Sequence, residues 1–407
     1  MTKKKESLEG IKVFDLTRVL AGPTATQILG DLGATIIKVE RPVSGDDSRN
    51  LGPPYLDSSV KDPKESAYYL SVNRNKYSVT IDLTKKKGQI LAKKIIKKCD
   101  LLVENFRAGN LKQYGLDYHS IKKINPKIIY CSITGFGQTG PYASRGGYDY
   151  LVQAMGGIMS ITGEKKGLPT KIGVGVSDII TGLYATISIL SALRFRDETS
   201  MGQHLDISLL DSQVSWLSYV AQSYLISGKI PDRIGNDHPS IVPYQTVKAK
   251  DGLMVLAIAN DRQFKNFCEF SGLSNLCTNS KFKSNSSRVK NRKELNKIIG
   301  KAFLKKTIKE WVQGLTKVNV PCGPINNIEQ VFNDPQVKSR KMKISMKHKK
   351  SKTKKINIIG SPMNFSVSKI KYKKTPPTLG EDTTNFLKRF LKISVPEIKK
   401  LKDEGII

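Results

Sequence analysis

Residues 78–104 read Ser78-Val-Thr-Ile-Asp-Leu-Thr-Lys-Lys-Lys-Gly-Gln-Ile-Leu-Ala-Lys-Lys-Ile-Ile-Lys-Lys-Cys-Asp-Leu-Leu-Val-Glu104. The run opens on a β-branched strand, Ser78–Leu83. It passes into a helical stretch, Lys85–Cys99, with Ile90, Leu91, Ile95 and Ile96 on one face, and closes on a second apolar strand, Leu101–Glu104. Two near-continuous apolar strands joined through a helix read as one β-α-β unit of a parallel sheet, since antiparallel strands need only a short turn. The alternation extends outward in both directions: strands at Ile11–Leu16, Thr35–Glu40 and Lys127–Ile133, and a helical pattern at Thr24–Leu32. The fold class that follows is α/β with a doubly wound parallel sheet.

Beyond this Rossmann-like first domain, long apolar helices are predicted at Ile179–Arg196 and Ser208–Ile226. The stretch Ile179–Leu193 contains four Thr or Ser and is too short for a bilayer span, so no membrane partner is expected. Pro231, Gly235, Pro239 and Pro243 then mark a junction. The organisation predicted is a large domain over 1–228, a smaller α+β domain over 229–334, and a segment over 335–407 that returns to the large domain. In the small domain a strand Leu253–Ala259 precedes helices near Arg262–Ser271, Arg292–Phe303 and Thr307–Gly314, and Pro321-Cys-Gly-Pro324 reads as a turn.

The chain carries 68 Lys+Arg against 35 Asp+Glu, a formal charge of +33 over 407 residues. Such an excess suggests a polyanion partner, and a Lys-rich polyanion-binding protein is one alternative reading. The distribution argues against it. Lys281–Lys374 holds 26 basic and 4 acidic residues, whereas Cys131–Asn260 holds 10 of each. The bases are 54 Lys and only 14 Arg, and Arg is the residue that forks onto phosphates and base edges. The excess reads as a solvated coat, and no nucleic-acid partner is expected. Five cysteines without a CxxC pair argue for reduced thiols, and Met1–Gly10 has no apolar signal region. A cytoplasmic location is the expectation.

Gly135-Phe-Gly137-Gln-Thr-Gly140 matches G-x-G-x-x-G after a strand, but Pro141 follows where a dinucleotide site needs a helix to begin. The glycines read as a tight surface loop. His119, His204, His238 and His348 lack metal-ligand spacing, so no metal is expected. The strongest local signal is Lys171-Ile-Gly-Val-Gly-Val-Ser177-Asp178, a glycine-rich run ending in a carboxylate at the head of an apolar helix. Asp in that place commonly serves only as a cap. Gly173 and Gly175 add room for a bound molecule to approach the backbone, and donors at a helix start can stabilise a developing oxyanion.

Several segments together resemble the family III CoA-transferases, the group of formyl-CoA transferase and carnitine CoA-transferase. They are Leu8–Pro23, Asp31–Pro42, Asn73-Arg-Asn-Lys76, Val103-Glu-Asn-Phe-Arg107, Gly135–Pro141, Gly147-Tyr-Asp149 and Ser177-Asp178, within a resemblance running from Leu8 to about Leu387. Within that family, Gly45-Asp-Asp47, Tyr69–Lys76, Ser240–Gln245 and Pro324–Asn327 are most similar to the succinate–hydroxymethylglutarate (glutarate) branch. The resemblance implies an enzyme that moves CoA from an acyl-CoA, succinyl-CoA or a similar dicarboxylyl-CoA, to a free carboxylic acid. It implies no permanently bound cofactor, coenzyme A thioester as substrate, and an interlocked homodimer. Asp178 is implied as the nucleophile, passing through an aspartyl anhydride and an aspartyl-CoA thioester. Each step exchanges one activated acyl bond for another, provided water is kept out.

The resemblance carries CoA contacts onto Val19, Leu20, Arg41, Ile81, Asp82, Leu83, Thr84, Asn105, Phe106, Arg107 and Tyr148. Where many members carry an arginine this chain has Gln113, and the neighbouring Lys112 is the expected substitute. A dicarboxylate acceptor needs a cation for its remote carboxylate, and Arg233 or His238 is the expectation. The alternative of the same fold is an α-methylacyl-CoA racemase. That enzyme places a histidine base where Tyr148 stands, and a phenol with pKa near 10 is a poor base at neutral pH.

Overall fold

A computed structural model describes residues 6–56 and 65–407. They form two compact units. The first comprises residues up to Ile158 together with Lys171–Ser227 and Val337–Ile407; the second comprises Met159–Thr170 and Gly228–Gln336. Residues 159–170 therefore cluster with the small unit although they precede the long helix of the large one. The backbone bond from Gly235 N–H to Gly163 O (3.1 Å) is among the ties that hold them there.

The first unit is built on six parallel strands: β1 Lys12–Asp15, β2 Thr35–Glu40, β3 Lys76–Thr80, β4 Leu101–Glu104, β5 Ile129–Thr134 and β6 His204–Ser208, in the order β3-β2-β1-β4-β5-β6. Its principal helices are α1 Ala21–Asp31, α2 Lys86–Ile96, α3 Asp149–Met155, α4 Val176–Thr199, α5 Leu209–Ser215 and α6 Ser218–Ser227. Alternate strand residues serve opposite faces. Phe14, Ile37, Val79, Leu102 and Tyr130 pack with Leu91, Ile95 and Ile96 of α2; Val13, Ile36, Leu101, Val103 and Cys131 pack with Leu29 of α1 and Ala185 and Ile189 of α4. Each such apolar side chain contributes about 1.5–3 kcal/mol by leaving water. The strand order reverses between β1 and β4, which opens a crevice at their carboxyl ends.

Three sequence expectations change here. β6, absent from the pattern reading, adds a sixth strand beside β5. The helix expected over Ser208–Ile226 breaks into α5 and α6, with Ser218 at φ 48°. α4 spans 24 residues, longer than expected, and an 18-residue apolar window within it has a mean hydropathy of 1.6, long and apolar enough to cross a bilayer by length and composition alone. Half of that apolar window is buried, and α4 packs along α1 so closely that a Cβ on Gly182 would sit 2.7 Å from Ala21 O.

The second unit has a three-stranded antiparallel sheet, β7 Tyr244–Lys248, β8 Leu253–Ala257 and β9 Cys322–Pro324. β9 corrects the turn expected at Pro321–Pro324: its residues pair with Met254–Leu256 of β8. The core stacks Phe303 on Trp311 with ring centroids 4.2 Å apart. Residues 337–407 belong to the first unit, where Ile359 O and Lys371 O accept from Arg74 and Asn75 at the start of β3.

Candidate active site

The crevice is framed first by the β1–α1 turn. Asn105, just after β4, grips it from across the switch point: its Oδ1 accepts from Arg18 N–H (2.9 Å) and its Nδ2 donates to Arg18 O (2.7 Å). Val19 sits at φ 71°, a left-handed conformation that costs a β-branched residue roughly 1–3 kcal/mol. Asp46 holds it there, its Oδ1 accepting the Val19 N–H at 3.1 Å. The other Asp46 oxygen pairs with Lys38 Nζ at 2.7 Å, and Lys38 also donates to Thr17 O (2.9 Å). Both side chains of this ion pair are fully buried. Burial alone would raise the Asp46 pKa, but the Lys38 ammonium holds the carboxyl well below the usual range.

Opposite the turn stands the start of α4. Asp178 is its third residue, half-buried, and among the described residues no donor hydrogen-bonds its carboxylate. Burial first, and the charge of Asp149 second, push its pKa up to about 7. Asp149 occupies the helix start instead: its Oδ1 accepts from Ser177 N–H at 2.8 Å and faces Asp178 N–H at 3.4 Å, while Oδ2 accepts from Gln153 Nε2 at 2.7 Å. Gly175 lies between the two acids. A Cβ there would be 3.6 Å from the Asp149 carboxyl carbon, 3.7 Å from Asp178 Oδ2 and 2.9 Å from Leu20 Cδ2.

Asp178, Val19, Leu20, Asn105, Phe106, Arg107 and Tyr148 line one cavity of about 200 Å³. A second cavity of about 250 Å³ is lined by Arg41, Ile81, Asp82, Leu83, Thr84 and Tyr114. Arg18 and Phe106 border both, the guanidinium lying 4.7 Å over the phenyl ring. Asp47 pairs with Arg18 (3.1 Å) and also with Arg41, so one carboxylate bridges the cations of the two cavities.

The family model described as CoA-transferase family III matches residues 8–383. The chain belongs to CoA-transferase family III. Among its relatives, succinate–glutarate CoA-transferase of Agrobacterium fabrum is 43% identical over 95% of this chain and 96% of its own. Human succinyl-CoA:glutarate CoA-transferase is 45% identical over 98% of this chain and 90% of its own. Of solved structures, a CaiB/BaiF family protein from Brucella suis is similar with a TM-score of 0.83 at 44% identity, covering 93% of this chain and 97% of that one.

In this family III chain the residues carried over for CoA line the two cavities of the crevice, except Lys112. Lys112 is exposed and lines a third cavity with Tyr118, His119, His204 and Arg107, which also borders the cavity of Asp178, and Gln113 bonds back to Asn110 O. Arg233 and His238 belong to the second unit and bond within it: Arg233 to Glu164 O and Gly167 O, His238 Nδ1 to Ser240 N–H.

The glycine motif is corrected. Gly135 is no surface-loop glycine; it is buried, lines the cavity of Asp178, and crosses Gly147 so closely that a Cβ on it would lie 2.5 Å from Gly147 Cα. Arg18, Asp47, Arg145 and Asp149 are site residues that the sequence reading did not single out as such. For Asp149 a signal existed, since it ends the quoted Gly147-Tyr-Asp motif. For Asp47 there was also one, the Gly45-Asp-Asp segment.

Proposed function

We propose that this CoA-transferase moves CoA from succinyl-CoA to a dicarboxylic acid of the glutarate type, with Asp178 as the carboxylate that carries the CoA between them. The substrates are those named for its relatives at 43% and 45% identity. The observation that carries the mechanism is the Asp178 carboxylate, lining a cavity with no hydrogen-bond donor upon it among the described residues. A carboxylate stripped of donors and partly of water is a stronger nucleophile than one in solution.

In the proposed sequence Asp178 attacks the succinyl thioester; an O–C bond forms, the C–S bond breaks, and CoA leaves as thiolate. The thiolate attacks the aspartyl carbonyl of the mixed anhydride, giving aspartyl-CoA thioester and free succinate. The acceptor carboxylate then attacks that thioester, and the thiolate returns to the acceptor acyl carbon, regenerating Asp178. Four acyl exchanges conserve the activated bond, and no proton need be transferred. The cavity of Arg41 and Ile81–Thr84 suits the nucleotide end of CoA, with the thioester running past Arg18 and Phe106 to Asp178.

The test is incubation with succinyl-CoA, trypsin digestion and mass spectrometry. The peptide bearing Asp178 is expected to gain CoA, and Asp178→Ala to abolish transfer to glutarate while CoA still binds. Substantial turnover by Asp178→Ala would refute the mechanism.

The protein is further proposed to act as an interlocked homodimer. No residue of α6 is buried, and Tyr219, Tyr224, Leu225 and Ile226 stand exposed beside Trp216. A second copy of the chain is the partner that would cover this apolar helix. Light scattering after size exclusion is expected to give twice the 45.2 kDa chain mass; a monomer would refute it.

A further inference from the structure

We infer that Asp149 is a positioning residue for the nucleophile: it occupies the donors at the start of α4 and sets a fixed negative charge beside Asp178, so that the Asp178 carboxylate is left without stabilisation until it is acylated. The inference rests on the reading of Asp178 as nucleophile.

A carboxylate at the third position of a helix ordinarily profits from the free N–H groups there and from the positive end of the helix dipole. In α4 those groups point elsewhere. Ser177 N–H donates to Asp149 Oδ1 (2.8 Å), and Asp178 N–H faces the same oxygen from 3.4 Å. Asp149 is itself anchored through Oδ2 to Gln153 Nε2 (2.7 Å), whose Oε1 accepts from Ile172 N–H (2.8 Å). The side chains of one helix, α3, therefore pin the glycine-rich approach to α4, and they deliver a second carboxylate across Gly175 from the first.

The energetic consequence is directional. While Asp178 is an anion it suffers burial and the repulsion of Asp149. Once it has attacked the thioester, its charge has moved to the departing sulfur and both penalties vanish. The neighbour thus raises the reactant without raising the anhydride or aspartyl thioester. A mere cap would need only an oxygen acceptor; this effect needs the charge.

The experiment separates cap from charge. Asp149→Asn retains a carbonyl oxygen for Ser177 N–H and loses the negative charge; Asp149→Ser supplies a hydroxyl acceptor should the amide variant fail to fold. The other titratable or charged groups that line the cavity with Asp178 are Arg18 from the β1–α1 turn, Asp47, Arg107 after β4, Arg145 and Tyr148 ahead of α3, and the half-buried Tyr68 feels the Asp178 charge. All are unchanged in both variants. Single-turnover release of succinate from succinyl-CoA is measured across pH by rapid quench, alongside mass spectrometry of the Asp178 peptide.

At about pH 8, where the wild-type carboxylate is ionised, the variant is expected to release succinate about tenfold more slowly, with CoA affinity unchanged. The midpoint of its pH profile is expected about one unit below that of wild type, toward the ordinary carboxylate range. Unchanged release with an unchanged midpoint overturns the inference, as does slower release without the shift. Absence of any Asp178 adduct in wild type would refute the nucleophile reading itself, a separate outcome.

Discussion

Replacing Asp46 by Ala tests how the crevice is kept in shape. Four contacts converge on this carboxylate: Lys38 Nζ at 2.7 Å, Val19 N–H at 3.1 Å, and Ser48 N–H and Oγ–H at 2.9 and 2.8 Å. Removing one member of a fully buried ion pair leaves its partner's charge uncompensated, at about 3–5 kcal/mol. Asp15 and Glu40 also act on the Lys38 charge, so the lower end of that range is expected. The second effect is local. Without Asp46, the left-handed Val19 loses the bond that offsets its strain and relaxes, withdrawing one wall of the cavity that holds Asp178. The single variant should therefore show an earlier urea midpoint together with a raised KM for acyl-CoA.

The double variant Lys38→Met/Asp46→Leu separates the two effects. It removes both charges at similar volume and is expected to recover most of the stability, since paired charges replaced by apolar groups are often neutral. KM is expected to stay raised, because nothing then holds the Val19 N–H. Urea unfolding gives the first quantity, with the m-value checked for constancy, and steady-state kinetics the second. Recovery of both stability and KM in the double variant would refute the role assigned to Asp46.

Two further outcomes follow from the site. Asp178 has a pKa raised to about 7, so its ionisation works against folding as pH climbs from the unfolded carboxyl value toward that point. Asp178→Asn is thus expected to raise the unfolding midpoint at about pH 8, with a ceiling of about 4 kcal/mol, and to change nothing below about pH 4; a stabilisation that persists in acid would contradict the assignment. Gly135→Ala must push backbone against backbone at Gly147, at about 1–3 kcal/mol, and is expected to lower acyl-CoA affinity as well as thermal stability; unaltered affinity would show that this crossing does not shape the cavity.

The parallel strands were legible because buried strands are apolar throughout and the helices between them repeat every three to four residues. β6 was not. His204-Leu-Asp-Ile-Ser208 lies at the sheet edge, half-exposed, and follows the charged end of α4 after only the short link of residues 200–203. Cys322–Pro324 was misread because two prolines flanking a glycine signal a turn locally, while the pairing with β8 lies about 70 residues away in sequence. The buried charges were equally hidden: Lys38, Lys76 and Arg49 look like surface residues until the carboxylates of Asp46, Asp15, Glu40 and Glu65 are brought beside them.

The sequence by itself determined the α/β class, the position of Asp178 at a helix head and, through ordered motifs across most of the chain, the family resemblance. These properties rest on local periodicity and on residues whose chemistry is visible without a neighbour. Only the tertiary structure decided which residues surround Asp178, that Asp149 takes the helix donors and leaves the carboxylate bare, that Asp46 holds Val19 in its left-handed turn, and that Gly135 meets Gly147. Those are relations between segments distant along the chain, and hydrogen-bond geometry, desolvation and steric contact act through space rather than along sequence.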